Sequence, residues 1–197
     1  MATALRALAY AVLLAIASQG SASAEEDHFD PETGFRTSRY RAPTPETAPG
    51  ATTITVDDVK RLVRDENAVL LDAMPSEGAG PDPRTGAWRL VKTRQHIPGS
   101  VWLPDVGRGT LTPAMEDYFK SNLRRLTGGD PARAIIVYCV ADCWMGWNAV
   151  KRAAAYGYTR LYWMPDGTDG WRDWEGTFEP AEPVPLPPAD ASTERTK

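Results

Sequence analysis

Short apolar runs alternate with amphipathic stretches along the middle of the chain. The apolar runs lie at 68–71, 101–104, 135–138 and 161–163, and their lengths and flanking turn residues are typical of buried parallel strands. The amphipathic stretches begin after capping residues and predict helices at 56–65, 113–126 and 145–156. This alternation predicts an α/β fold, an open parallel sheet flanked by helices with right-handed crossovers, in a single domain.

The only two cysteines of the chain share one turn. Cys139 directly follows the apolar run 135–138, and Cys143 precedes the helical segment that ends before Gly157. Because unpaired N–H groups at a helix N-terminus favour a thiolate, Cys139 is the predicted nucleophile. A bond between the two cysteines would close a very small loop and remove little chain entropy, which favours chemistry over a purely structural disulfide.

The first residues have the features of a secretory signal peptide. Arg6 precedes an apolar stretch at 7–17, and Ala22-Ser23-Ala24 offers small residues for cleavage. We therefore predict an exported protein, cleaved after Ala24, with no membrane span after cleavage. The net charge of −4 and the pI near 5.3 argue against nucleic acid or an anionic membrane as a partner.

These signals divide the chain into four parts. Residues 1–24 form the signal peptide, and the Pro-rich stretch 25–50 forms an extended arm or a flexible spacer. Residues 51–176 form the folded domain. Residues 177–197, again rich in proline, form a tail that we predict to be irregular.

Several residues near predicted strand ends are candidates for the site. Asp72 ends the first apolar run and either lines a pocket at the carboxyl edge of the sheet or caps a turn. His96 precedes Pro98-Gly99 and is either a general base or a strand-entry residue bonded to the backbone. Arg108 lies in a Gly-rich turn after the second strand.

Metal and haem sites fit the sequence poorly. Cys139, Cys143 and His96 would give zinc at most three ligands. A c-type haem needs a histidine after the second cysteine, and Trp144 stands there. We therefore predict no metal and no cofactor.

A series of motifs resembles the rhodanese, or sulfurtransferase, domain. They are the strand Val69-Leu70-Leu71-Asp72, the stretch His96-Ile97-Pro98-Gly99-Ser100, which resembles the family's H-I-P-G-A motif, the strand Ile136-Val137-Tyr138 before Cys139, the closing helix at 153–158 and the turn at 166–171. The resemblance extends over about 54–174. It implies a rhodanese-like fold in which Cys139 accepts sulfur.

One subgroup of that family is more similar still. The segments 40–43, 102–109 and 138–149 resemble exported proteins described as PQQ-dependent catabolism-associated CXXCW motif proteins, which are found with periplasmic quinoprotein dehydrogenase systems. This resemblance implies a periplasmic location and a quinoprotein dehydrogenase or its cytochrome as partner. The motif name has two residues between the cysteines, whereas this chain has three.

The cysteine loop departs from that of ordinary rhodaneses, which reads C-x-x-G-x-R. Asp142 occupies the glycine place and Trp144 the arginine place. Tryptophan cannot replace the bidentate, charged donor that neutralises an anionic substrate, and Asp142 adds a negative charge beside the sulfur. Transfer of sulfur from thiosulfate is therefore not expected unless an arginine outside the loop reaches the site. The candidates are Arg84, Arg89, Arg94 and Arg108.

Two functional hypotheses follow from these residues. In the first, Cys139 attacks a sulfane sulfur or a disulfide, and Cys143 resolves the product by forming the internal disulfide. In the second, the protein is a non-catalytic accessory that docks on the quinoprotein dehydrogenase or its cytochrome. There the disulfide stiffens a recognition loop, and Trp144 and Trp147 either anchor the partner or pack in the core.

Overall fold

The computed structural model of the protein describes residues 28–187. The predicted signal peptide, with its cleavage site after Ala24, and the last ten residues of the predicted tail lie outside the described residues. Within 28–187, no helix is both long enough and apolar enough to cross a membrane.

A five-stranded sheet and four helices make up most of the domain, with a separate two-stranded ribbon beside them. The strands are β1 (Thr52–Thr53), β2 (Val69–Asp72), β3 (Arg94–His96), β4 (Val101–Trp102), β5 (Ile135–Tyr138), β6 (Leu161–Met164) and β7 (Glu179–Ala181). The helices are α1 (Val56–Glu66), α2 (Pro113–Thr127), α3 (Trp144–Ala155) and α4 (Gly167–Asp173).

The large sheet has the order β1-β6-β5-β2-β4, and all its neighbours run parallel. Alternate residues of the central strand β5 belong to opposite faces. Ile135 and Val137 pack in the cluster that holds α2 and α3, whereas Ile136 and Tyr138 pack in the cluster that holds α1 and α4. The predicted α/β architecture is confirmed.

Local sequence signals explain where the helices begin and end. Thr55 and Asp58 form a reciprocal capping box at the start of α1. Thr112 caps α2 just before Pro113, and Gly128 ends that helix in the left-handed conformation at φ 66°. These positions agree with the predicted helices to within one or two residues.

The register of β2 and β5 creates the edge where the site lies. Asp72 pairs with Tyr138, so both strands end at the same level of the sheet. Cys139 comes next in the chain and is followed by the turn into α3. The carboxyl edge of a parallel sheet is where α/β proteins place their functional groups.

The predicted irregular tail is partly wrong. β7 pairs antiparallel with β3, and Val184 then donates its N–H to the carbonyl of Trp102 at 3.0 Å. Trp88, in the insertion, donates from its indole to the carbonyl of Val184 at 2.7 Å. The tail up to residue 187 therefore holds the Gly- and Pro-rich insertion against the domain. β7 cannot be predicted from the sequence, because a strand of three residues that contains Pro180 shows no periodicity.

Candidate functional site

A disulfide joins Cys139 and Cys143 across the turn between β5 and α3. Their Cα atoms are 6.2 Å apart, and the two residues are only 2% and 3% exposed. Cys143 itself is the N-cap residue of α3 and makes no side-chain capping hydrogen bond. The positive end of this helix therefore lies nearest to Cys143 and not, as predicted from the sequence, nearest to Cys139.

The turn that carries the disulfide is attached to the start of α4. The N–H of Thr168 donates to the carbonyl of Cys139 at 3.1 Å, and the N–H of Ala141 donates to Asp169 Oδ2 at 3.0 Å. Gly167 is needed here, because a Cβ on it would lie 2.6 Å from the carbonyl oxygen of Cys139. Asp142 is exposed, with φ 52°, and completes the turn.

The Pro-rich arm covers the other side of the turn. Arg41 forms an antiparallel bridge with Cys143, and the N–H of Ala42 donates to the carbonyl of Asp142 at 3.1 Å. Tyr40 accepts at its carbonyl from the N–H of Trp144 at 2.9 Å. The described part of the arm, residues 28–50, is therefore bound along the turn and the first residues of α3.

Trp144 and Trp147 are not free to anchor a partner. Trp144 is 3% exposed, and its indole donates to the carbonyl of Pro43 at 3.1 Å. Trp147 is 7% exposed and donates to the carbonyl of Thr47 at 3.0 Å. The alternative reading, in which both tryptophans pack in the core, fits the structure, and the arm supplies part of their cover.

Asp72 is fully buried, and its partner is Arg94. The guanidinium of Arg94 binds both carboxylate oxygens, with Nη2 2.8 Å from Oδ1, and the N–H of Met74 donates to Oδ1 at 3.0 Å. Burial raises the pKa of Asp72, although the Arg94 guanidinium offsets part of this effect. Asp72 therefore fixes the chain where it leaves β2, through an ion pair that the sequence analysis did not foresee.

His96 lies beside carboxylates. Its Nδ1 is 3.9 Å from Asp72 Oδ2 and its Nε2 is 3.5 Å from Glu179 Oε1. Burial lowers the pKa of His96 despite these negative neighbours, so the imidazole is neutral at neutral pH. His96 lies in β3, which pairs with β7. Its side chain therefore lies between the two-stranded ribbon and the carboxyl edge of the large sheet.

Arg108 pairs with Asp105 and lies over the ring of Tyr40. Its Nε is 2.8 Å from Asp105 Oδ1. Of the arginines proposed to supply the missing charge, Arg94 lines the cavity beside the cysteine turn but is committed to Asp72, and Arg89 donates to the carbonyls of Ala79 and Gly80.

A cavity of about 460 Å³ opens at this edge of the sheet. Met74 and Val140, which line it, also pack against the disulfide, and Met74 Sδ lies 3.6 Å from Cys139 Sγ. The charged lining residues are Glu77, Lys92, Arg94, Asp169 and Arg172. Lys92 is 4.0 Å from Glu77, and Arg172 is 3.1 Å from Asp169, so the positive charges of the cavity have negative neighbours.

Sequence reasoning missed Met74 and Arg172. Met74 lies two residues beyond the end of β2, at the edge of the sheet where functional groups are expected. A methionine there does not by itself indicate catalysis or binding. Arg172 lies in the short helix α4, which only the tertiary fold brings to the cavity. Among residues 28–187, no group of three or more His, Cys, Asp or Glu residues is arranged to hold a metal.

Solved structures with a similar fold include a thiosulfate sulfurtransferase and a polysulfide-sulfur transferase. Thiosulfate sulfurtransferase from Pseudomonas aeruginosa is 19% identical, with 68% of this chain and 21% of that chain covered and a TM-score of 0.44. The polysulfide-sulfur transferase of Wolinella succinogenes is 15% identical. The match covers 66% of this chain and 79% of that chain, with a TM-score of 0.42. A protein from Anabaena is 15% identical. The match covers 65% of this chain and 80% of that chain, with a TM-score of 0.42.

The comparison of the sequence with curated proteins gives no match. The comparison with family models does give one, and the matched segment contains α1, all of the large sheet except β1, the cysteine turn and α4. Residues 55–173, which are more than half of the chain, match the model of the rhodanese-like domain, and this protein therefore belongs to the rhodanese-like domain family.

Proposed function

We propose that this protein is an exported thiol protein in which Cys139 is the nucleophile and Cys143 is the resolving thiol. The observation that carries the proposal is the disulfide between them, which sits at the carboxyl end of β5 and the N-terminus of α3. A loop in which the second thiol already lies at bonding distance needs no rearrangement to resolve an adduct on the first.

The chemistry starts from the reduced pair. The Cys139 thiolate attacks a sulfane sulfur, the bond between that sulfur and its carrier breaks, and the carrier leaves as a thiolate. Cys139 then holds a persulfide. The Cys143 thiolate attacks Cys139 Sγ, the disulfide forms, and the outer sulfur leaves as hydrosulfide after taking up a proton. A dithiol reductant restores the pair and becomes a disulfide itself.

The charges around the cavity favour an organic sulfur carrier over an inorganic anion. Lys92 and Arg172 each have a carboxylate neighbour, and Arg94 is bound to Asp72. An inorganic anion such as thiosulfate would find no unpaired cation among these lining residues, and Trp144 supplies none from the loop. The volume of about 460 Å³ is of the size used for small organic ligands.

Export and a role beside PQQ-dependent oxidation complete the proposal. The signal-peptide features of residues 1–24 support export, and the resemblance of the cysteine loop to the CXXCW subgroup supports a periplasmic quinoprotein dehydrogenase or its cytochrome as partner. In the periplasm, exchange between a dithiol and a disulfide is chemistry that the compartment sustains.

A second candidate is a non-catalytic accessory protein with a structural disulfide. The observation in its favour is that both sulfurs are buried and that the arm is bonded to the turn at Arg41 and Ala42. In this case the disulfide would fix the shape of a docking surface. Since Trp144 and Trp147 are buried, that surface would have to use other side chains.

Trapping experiments with matched serine variants distinguish the two candidates. Reduced Cys143→Ser, incubated with an organic persulfide, should retain one added sulfur on Cys139 in the mass spectrum, because the resolving thiol is missing. Cys139→Ser is the control and should retain none. Equal labelling of both variants, or of neither, would contradict the role of Cys139 and leave the accessory function.

A further inference from the structure

Met74 separates the disulfide from the cavity. Its side chain lines the cavity on one side and touches Cys139 Sγ through its own sulfur, at 3.6 Å, on the other. Cys139 is 2% exposed, so a reagent in the cavity meets the Met74 thioether before it meets the disulfide. The opposite side of the turn is covered by the arm through Arg41 and Tyr40.

Two hydrogen bonds fix the backbone of Met74. Its N–H donates to the buried carboxylate of Asp72 at 3.0 Å, and its carbonyl accepts from the indole of Trp102 at 2.7 Å. The residue as a whole is half-buried. A methionine side chain is unbranched, has three rotatable bonds and changes conformation at low cost. The position is rigid and the side chain is adaptable, which is the combination expected of a gate.

We infer that Met74 is a gate that controls the access of thiols and sulfur carriers to Cys139 from the cavity. The inference rests on the proposed function for its biological meaning, but the physical behaviour of the gate does not need sulfur transfer. Met74 is a positioning residue, since it acts by uncovering Cys139. A substrate with an apolar portion displaces the side chain and takes its place against Val140 and Phe178, which line the same cavity.

Reduction of the disulfide by dithiothreitol measures the gate directly. One thiolate of the reagent attacks Cys139 Sγ, the bond to Cys143 breaks, and Cys143 leaves as a thiolate. The second thiol of the reagent then attacks the mixed disulfide, which releases Cys139 as a thiolate and the reagent as its cyclic disulfide. The rate of the first step depends on access to the attacked sulfur.

Three variants separate gating from other effects. Met74→Ala removes the cover and should accelerate reduction by about tenfold or more, whereas Met74→Leu keeps a side chain of similar volume and should stay close to wild type. Met115→Ala is the control, because Met115 lies on α2, packed against the core away from the cavity. The ratio of the rates with glutathione and with dithiothreitol should rise in Met74→Ala, since the bulkier thiol is excluded more strongly.

The equilibrium provides the second readout. Removing the Met74 side chain should lower the barrier to thiol–disulfide exchange equally in both directions, so the reduction potential of the disulfide in Met74→Ala should equal that of wild type. Unchanged reduction rates in Met74→Ala, or rates that rise together with a shift of the potential, would overturn the inference. Failure of persulfide trapping on Cys139 would instead overturn the proposed function, and the accelerated reduction would remain.

Discussion

Replacing Arg94 by alanine tests how the site is held together. Arg94 is 10% exposed at its side chain and Asp72 is 0% exposed, so the variant leaves a buried carboxylate without its cation. Removing one partner of a buried ion pair costs about 3–5 kcal/mol. Because the Arg94 side chain still has some contact with water, we expect the lower end, about 3 kcal/mol, which corresponds to a fall in Tm of about 6–12 °C for a protein of this size.

The loss of stability in Arg94→Ala should depend on pH. Burial already raises the pKa of Asp72, and removing Arg94 raises it further above the value in the unfolded chain. A carboxyl group with a raised pKa in the folded state holds its proton there, so the penalty is absent below the unfolded pKa of about 3.9 and grows as the pH rises. The slope is limited to about 1.4 kcal/mol per pH unit for one group.

Thermal unfolding monitored by circular dichroism, from pH 4 to pH 8, is the assay. The control is Arg64→Ala. Arg64 and its partner Asp65 are both exposed, so removing the Arg64 side chain should leave Tm unchanged. The double variant Asp72→Asn, Arg94→Ala should lose the pH dependence. A fall in Tm of less than about 2 °C in Arg94→Ala, or a fall that does not grow with pH, would show that Arg94 does not stabilise the buried carboxylate of Asp72.

Two further substitutions test the packing around the turn, each by urea denaturation. Tyr138→Phe should lower the free energy of unfolding by about 1–3 kcal/mol. The buried N–H of Ile97 is 3.2 Å from the Tyr138 hydroxyl oxygen in the wild type and loses this acceptor in the variant. An unchanged urea midpoint would show that water replaces the hydroxyl. Gly107→Ala should cost more than the roughly 1–3 kcal/mol of ordinary overpacking, because its Cβ would lie 2.0 Å from the backbone oxygen of Met145; a wild-type midpoint would contradict this close approach.

The sequence predicts the parts of the fold that local rules determine. The capping box at Thr55, the Pro113 start and the Gly128 end of α2 depend on neighbouring residues alone, and they appear where the pattern places them. The buried strands β2 and β5 can also be predicted, because continuous apolar runs are typical of strands in a sheet covered on both faces. β1 and β3 consist of polar residues and leave no apolar run in the sequence, so only their pairing in the folded chain defines them.

The site is predictable only in part. The position of Cys139 after β5 follows from the strand and helix pattern. The bond between Arg94 and Asp72 does not, because the two residues are far apart in the chain and the loop between them has no regular structure. The burial of Trp144 also escapes prediction, since its cover comes from the Pro-rich arm, whose composition alone suits a flexible spacer equally well.

The proposed mechanism requires the two cysteines to act in sequence on one sulfur atom. A single-turnover reaction of the fully reduced wild-type protein with an organic persulfide tests it, with hydrosulfide release and disulfide formation followed over the same time course. We expect hydrosulfide to appear in step with closure of the Cys139–Cys143 bond, in equal amounts. Disulfide formation without hydrosulfide, or persulfide that persists on Cys139 while Cys143 stays reduced, would contradict it.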